Sequence, residues 1–126
     1  MENRSIKPTE SELEILQVLW QKGKATVREV HETLTASKET GYTTTLKLMQ
    51  IMNEKGLVSR DDSSRTHIYK AASDKENTQK FLLNKFISNL FGGSSTQLVM
   101  QALGNHKVSA DELNQIQSLI DDLKNK

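Results

Sequence analysis

Three histidines and two adjacent aspartates are the residues of this chain whose types first indicate metal or acid–base chemistry. His31, His67 and His106 lie far apart in the sequence and no carboxylates cluster near them, so their spacing does not predict a metal site. Asp61 and Asp62 resemble an acid–base pair, but neighbouring side chains at a loop tip point apart and have no pocket. We interpret both aspartates as turn residues.

Motifs for catalysis and cofactor binding are missing from the sequence. The chain has no cysteine, which excludes thiolate nucleophiles, thiolate metal ligands and disulfides. It also has no nucleophile elbow and no glycine-rich loop that would cradle a phosphate. We therefore expect a protein that is not an enzyme and that binds neither a cofactor nor a metal.

A second group of residues, between Tyr42 and Gln50, has the types that read DNA. Lys47 can bind a phosphate or a guanine, Gln50 can pair with adenine, and Leu46 can contact a thymine methyl group. The hydroxyls of Thr43 and Thr44 would lie at a helix N-terminus, where backbone amides attract phosphate. The alternative is that the threonines only cap the helix and that Lys47 is only solvated.

Helical spacing decides which of these side chains point outward. On a helix from about Tyr42 to Glu54 we take Thr45, Leu48, Met49 and Met52 as the buried stripe. The outward face is then formed by Thr43, Leu46, Lys47 and Gln50.

Local signals predict the elements on either side of this helix. Three capping boxes predict helix starts, at Thr9–Glu12, Thr26–Glu29 and Ser109–Glu112. Lys22-Gly23 and Lys55-Gly56 predict helix ends. The period then changes, because Leu57–Arg60 and Thr66–Tyr69 read as extended segments of a β-hairpin with a loop of about four or five residues.

Beyond Tyr69 the pattern is again helical. A long segment capped by Ser73 or Asp74 ends at Phe91-Gly92-Gly93, a shorter helix stops at Gly104, and a last one follows Ser109. Their one-sided apolar stripes are too small for an independent core, which predicts packing against a second copy of the chain. The residues expected at that dimer interface are Leu82, Phe86, Ile87, Leu90, Leu98, Ile116, Ile120 and Leu123. The alternative is that the long stripe folds back onto the N-terminal unit.

The order of three helices followed by a hairpin is that of a winged helix, whose third helix enters the major groove of DNA. We predict a mainly α fold with a small β-hairpin, in which an N-terminal winged helix-turn-helix is followed by a C-terminal three-helix dimerisation region. The predicted domains are residues 1–72 for DNA binding and 73–126 for dimerisation.

Composition and charge fit this prediction without requiring it. A chain of 126 residues with 35% apolar residues forms one or two small folding units. The net charge is only +1, but residues 38–70 contain six basic and four acidic side chains, whereas residues 73–126 contain six of each. No apolar run approaches the roughly 20 residues of a membrane span, and the N-terminus has no secretory stretch, so we expect a cytoplasmic protein.

Several segments resemble the penicillinase-repressor family of the BlaI/MecI type. They are residues 9–20, Gly23–Val30, Gly41–Leu46, Asn53–Val58, Arg60-Asp61 and Arg65–Tyr69. The resemblance is strong from Ser5 to about Ala72 and looser in the C-terminal helices.

The resemblance implies a homodimeric bacterial repressor that binds double-stranded DNA at a palindromic operator. It also implies release when a membrane sensor peptidase triggers cleavage in the C-terminal region. The candidate DNA-binding residues are those of the third helix and the wing: Tyr42, Thr43, Thr44, Leu46, Lys47, Gln50, Arg60, Arg65 and His67. His67 is either a wing residue near phosphate or a cross-strand partner in the hairpin.

Two departures from the family's sequence pattern limit which mechanisms could release this chain from DNA. Where resistance regulators carry a scissile Asn-Phe pair, this chain has Gln101-Ala102, so control by that same cut is in question. The copper-responsive branch ends in a cysteine-rich motif, which this chain lacks. Two other functions stay open: a ligand-gated regulator with an apolar cavity lined by Phe81, Phe86 and Leu90, and a winged helix used for protein interaction.

Overall fold

The computed structural model describes residues 7–126. The expectation that the N-terminus has no secretory stretch concerns residues 1–6, which lie outside the described residues. The described chain forms six helices and a two-stranded antiparallel sheet. In chain order these are α1 (Glu10–Lys22), α2 (Val27–Leu34), α3 (Tyr42–Lys55), β1 (Val58–Asp61), β2 (Ile68–Ala71), α4 (Lys75–Leu90), α5 (Ser95–Asn105) and α6 (Ala110–Lys124). The predicted mainly α fold, in which C-terminal helices follow a winged helix-turn-helix, is confirmed, whereas dimerisation through those helices stays a prediction.

The helix boundaries follow the local signals in the sequence. All three predicted capping boxes are formed, with both of their hydrogen bonds, at the starts of α1, α2 and α6. Gly23 and Gly56 end α1 and α3 with φ angles of 87° and 86°, which glycine adopts without steric cost. At α4 the structure selects Asp74 as the cap, because Asp74 Oδ1 accepts a hydrogen bond of 2.7 Å from the Asn77 amide.

Two boundaries differ from the prediction. Helix α5 continues through Gly104 to Asn105, because Gly104 does not adopt the positive φ that ends α4 at Gly92 and Gly93. The loop between β1 and β2 comprises residues 62–67 and is longer than predicted. At its tip the Ser63 amide donates to Asp61 Oδ1 and the Ser64 hydroxyl to the Thr66 carbonyl, which holds these residues in turns.

One hydrophobic core holds the N-terminal elements together. It is formed by Ile15, Leu16, Val18, Leu19, Ala25, Val27, Val30, Leu34, Met49, Met52, Val58 and Tyr69. The hairpin is joined to it by a bridge between Tyr69 and Ala25, whose backbones exchange hydrogen bonds of 2.8 and 2.9 Å. Trp20 packs against this core, and its indole nitrogen donates to the Ser73 carbonyl at 2.9 Å.

The described chain divides into two compact units, one ending at Leu83 and the other beginning at Asn84, inside α4. The predicted domain boundary after Ala72 stays a prediction. No residue of α4, α5 or α6 is buried within the chain, so these helices have apolar stripes but no core of their own.

Candidate nucleic-acid interface

Helix α3 presents a polar face to solvent. Its buried residues are Thr45, Met49 and Met52. The exposed residues from its first three turns are Tyr42, Thr43, Thr44, Lys47 and Gln50. Every predicted polar contact residue of the third helix therefore lies on the accessible side.

Leu46 and Leu48 do not follow the simple division into two faces. The spacing places Leu46 outside and Leu48 inside, but both are half-buried and both pack against the core. They lie on the two flanks of the buried stripe, where neighbouring elements cover part of each side chain. Leu46 keeps part of its surface accessible for an apolar contact.

The first turn of α3 is not capped by the threonines. The N-cap residue is Gly41, and no side chain donates or accepts a capping hydrogen bond there. Thr45 is buried instead, with its hydroxyl 3.1 Å from Nδ1 of His31 and 3.5 Å from the Gly41 carbonyl. The capping alternative for Thr43 and Thr44 is therefore wrong, and both hydroxyls lie beside amides that no side chain satisfies.

A cluster from α2 surrounds the start of α3, and the sequence interpretation missed its main member. The guanidinium of Arg28 lies over the Tyr42 ring, 5.5 Å from its centroid. The His31 ring meets the same tyrosine edge-on, at 5.5 Å and 83°. The capping box predicted that Arg28 lies on a helix. Its contact with Tyr42 could not be predicted, because hydrophobic periodicity does not indicate contacts between side chains on different helices.

The wing residues form a charged group at the end of the hairpin. Arg60 Nε lies 2.7 Å from Asp62 Oδ1, and Nδ1 of His67 lies 3.6 Å from the same oxygen. Arg60 pairs across the strands with Tyr69, and the Tyr69 side chain together with Asp62 raises the pKa of the Arg60 guanidinium. Asp62 thus binds Arg60 and approaches His67, whereas Arg65 is exposed in the loop.

The two aspartates at the wing have different partners. The Ser63 amide lowers the pKa of Asp61, and Lys24 contributes in the same direction. Asp62 turns instead toward Arg60. The side chains therefore diverge, as predicted, but only Asp62 lies in the loop: Asp61 is the last residue of β1, and its carboxylate accepts from the first turn of the loop.

Ion pairs reduce the local excess of positive charge. Lys38 binds Glu14 at 2.8 Å and Lys55 binds Glu12 at 2.7 Å. Among residues 7–126, the basic side chains near α3 and the wing that pair with no carboxylate include Arg28, Lys47, Arg65 and Lys70. The positive charge of these side chains can attract an anionic partner.

The residues predicted at a dimer interface leave apolar surface uncovered. Phe86, Leu90, Ile120 and Leu123 are exposed, and Leu90 reaches 65%. The other predicted interface residues, Leu82, Ile87, Leu98 and Ile116, are half-buried. Because Phe86 and Leu90 are exposed, they do not line an enclosed ligand cavity within this chain.

In the part of the chain that the structure describes, no group of three or more histidine, aspartate or glutamate side chains could hold a metal ion. Over the same residues, no helix is long and apolar enough to cross a membrane.

Comparison with known proteins connects this geometry to a family. The sequence model of the penicillinase repressor family matches residues 8–122. The penicillinase repressor of Bacillus licheniformis is 23% identical over 122 residues, which cover 94% of this chain and 92% of that protein. The penicillinase repressor of Staphylococcus aureus is 19% identical over the full length of both chains. The methicillin resistance regulatory protein MecI of Staphylococcus aureus strain N315 is 19% identical, covering 95% of this chain and 98% of that protein.

Proposed function

Because this chain belongs to the penicillinase repressor family, whose members are transcriptional regulators and not enzymes, we propose that it represses transcription as a homodimer bound to a palindromic operator. Each protomer inserts α3 into the major groove and lays the wing along the backbone. The dimer axis matches the symmetry of the operator.

The exposed polar face of α3 is the observation that carries this proposal. Lys47 and Gln50 stand on one accessible face, and no carboxylate in residues 7–126 pairs with Lys47. Lysine and glutamine are suited to donor and acceptor groups at base edges. The adjoining first turn offers backbone amides and two threonine hydroxyls to a phosphate.

Dimerisation is supported by the uncovered apolar side chains of the C-terminal helices. Met100 is 69% exposed and Leu123 is 57% exposed, although α4 to α6 carry continuous apolar stripes. Large exposed apolar surface marks an interaction site. A second copy of the same stripes would cover this surface. The resulting dimer would place two DNA-binding units, one per half-site, on the same operator.

We also propose that a sensor-peptidase pathway relieves repression, and this part of the proposal rests on family membership. Gln101 and Ala102 occupy the position of the family's cleavage pair and lie within α5. A protease needs an extended substrate, so cleavage there requires local opening of α5.

Selection of bound duplexes from a random pool, followed by sequencing, tests the proposal directly. We expect a palindrome with two half-sites about one helical turn apart, or a multiple of it. Binding should weaken steeply as salt rises, because several phosphate contacts release counterions. Failure to enrich any sequence, together with no salt-dependent binding to random duplexes, would instead favour a winged helix used for protein interaction.

A further inference from the structure

The pair formed by Arg28 and Tyr42 lies at the edge of the proposed DNA-reading surface. Arg28 is exposed on α2, and its guanidinium sits 5.5 Å from the centroid of the Tyr42 ring. Tyr42 is the first residue of α3 and is 40% exposed. The pair therefore places a cation next to the helix that the proposed function puts in the groove.

Among residues 7–126, Arg28 has no acidic partner that would explain its position, because none of the ion pairs there involves it. The neighbouring Glu29 uses its carboxylate in the capping box of α2, where it accepts from the Thr26 amide at 2.8 Å. The contact that locates the guanidinium is the tyrosine ring, through a cation–π interaction.

The ring itself is held in place by a chain of contacts that ends in the core. His31 meets Tyr42 edge-on and places Nδ1 3.1 Å from the hydroxyl of Thr45. Thr45 is almost completely buried. Because His31 contacts the ring and is itself held beside Thr45, the Arg28 guanidinium lies over a ring whose rotation is restricted.

We propose that Arg28 binds a phosphate of the DNA backbone beside each half-site, with Tyr42 as the platform that orients the guanidinium. A planar guanidinium offers paired N–H donors that match a phosphate, and stacking leaves its edge free to donate. This inference deepens the proposed function and rests on it. It adds to α3 and the wing a third contact region, supplied by α2.

The test compares the full-length chain with Arg28→Met and with Lys80→Met, a control that removes the same charge from α4. Binding to a selected operator and to a random-sequence duplex is measured over a series of salt concentrations. Loss of one phosphate contact should lower the salt slope by about 0.9 and weaken binding roughly eightfold at about 0.1 M salt. Both duplexes should be affected equally, since a phosphate contact carries no sequence information.

Substitutions of Tyr42 test the platform. In a Tyr42→Phe background the ring remains, so Arg28→Met should have the same effect as in the wild-type chain. In a Tyr42→Leu background the guanidinium is no longer pre-oriented, so Arg28→Met should have an effect smaller by about two- to fivefold. Thermal melting of each variant separates loss of binding from loss of folding.

Three outcomes would overturn the inference. Equal salt slopes for Arg28→Met and Lys80→Met would show that Arg28 binds no phosphate. A lower melting temperature with an unchanged slope would assign Arg28 a structural role. An equal effect of Arg28→Met in the Tyr42→Phe and Tyr42→Leu backgrounds would exclude the platform.

The wild-type chain separates this inference from the proposed function. If the wild-type chain bound no DNA, the proposed function would fail together with this inference. If its binding depended steeply on salt and any of the three outcomes occurred, the inference alone would be overturned.

Discussion

Lys47 and Lys55 show how two residues of one type and one helix receive different roles. Lys55 ends α3 and donates to the nearly buried carboxylate of Glu12, which is 2% exposed. Lys47 is exposed on the solvent-facing side of the helix, and no carboxylate in residues 7–126 pairs with it. A carboxylate next to a lysine offsets the positive potential that the lysine presents to a ligand. Of these two residues, only Lys47 is therefore suited to binding DNA.

Substitution of the outward residues of α3 should affect binding without affecting folding. We expect Lys47→Ala and Gln50→Ala each to cost about 1–3 kcal/mol in operator affinity, with the loss of discrimination confined to one or two base pairs per half-site. Thr43→Ala should leave the melting temperature unchanged, because Thr43 forms no capping bond. Lys38→Ala, which removes a lysine paired with Glu14, is the control for operator affinity. Unchanged operator affinity of Lys47→Ala and Gln50→Ala would contradict this assignment and favour the flank of the helix that carries Thr44, Leu48 and Ile51.

The wing arginines should contribute affinity without specificity. We expect Arg65→Ala to weaken operator and random DNA by similar factors and to reduce the salt slope by about 0.9. Arg60→Ala should change the salt slope less, because Asp62 already lies against its guanidinium, and should also lower the melting temperature, because Arg60 pairs across the strands with Tyr69. Salt titrations on both duplexes measure these effects. A selective loss of operator binding would instead mean that the wing reads bases.

At the scale of elements, Glu12 connects the start of α1 to the end of α3. Its Oε1 accepts from the Thr9 amide at 2.9 Å, and its Oε2 accepts from Lys55 at 2.7 Å. Burial by itself raises the pKa of Glu12, but the hydrogen bonds from Lys55 and Thr9 outweigh burial and lower the pKa below its ordinary value of 4.5. One carboxylate thus completes a helix cap and fixes the far end of α3.

Removal of this carboxylate should destabilise the fold in a pH-dependent way. Glu12→Gln should lower the free energy of unfolding at neutral pH by roughly 2–3 kcal/mol, because Lys55 loses its partner. A depressed folded-state pKa gives stability that is complete above the unfolded pKa and is lost as the pH falls through the folded pKa. The wild-type chain should therefore lose stability below about pH 4.5 more steeply than the variant.

Denaturant melts of both chains between neutral pH and acid check this expectation. Glu14→Gln is the matched control, since Glu14 belongs to the same helix and binds Lys38 at the surface. We expect its effect to stay below about 1 kcal/mol. Parallel pH profiles for the wild-type chain and Glu12→Gln would contradict the assignment.

At the scale of the whole molecule, the two units of the chain differ in how much apolar surface they bury. The unit ending at Leu83 has a buried core, whereas no residue of α5 or α6 is buried within the chain. Helices with uncovered apolar stripes gain stability by association. Association also raises operator affinity, because linking two weak binding modules increases the effective concentration of the second.

The chain should sediment as a dimer at micromolar concentration. A chain ending at Leu83 retains the Trp20–Ser73 hydrogen bond and should be a folded monomer that binds single half-sites poorly. Ile120→Asn and Leu123→Asn, which place polar groups on the stripe of α6, should shift the full-length chain toward monomer. Ser118→Asn, on the opposite side of that helix, should not. A full-length monomer with full operator affinity would rule out dimerisation as the basis of binding.

The sequence by itself determined where α1, α2 and α6 begin and where α1 and α3 end. Capping boxes at Thr9, Thr26 and Ser109 and the glycines after Lys22 and Lys55 act through hydrogen bonds and backbone angles within a few residues, so their effect is encoded locally. Helical spacing likewise identified the exposed polar face of α3. These features can be predicted without information about residues that are distant in the sequence.

Tertiary structure alone decided which charged side chains are available. The pairs Arg28–Tyr42, Glu12–Lys55 and Lys38–Glu14 join residues that lie far apart in the sequence, and the half-burial of Leu46 depends on the core beside it. Contacts of this kind form only after the helices pack, because packing brings such distant residues together. The same six basic residues between Lys38 and Lys70 therefore looked equivalent in the sequence, whereas in the folded chain Lys38 and Lys55 are used in internal pairs and Lys47 faces solvent.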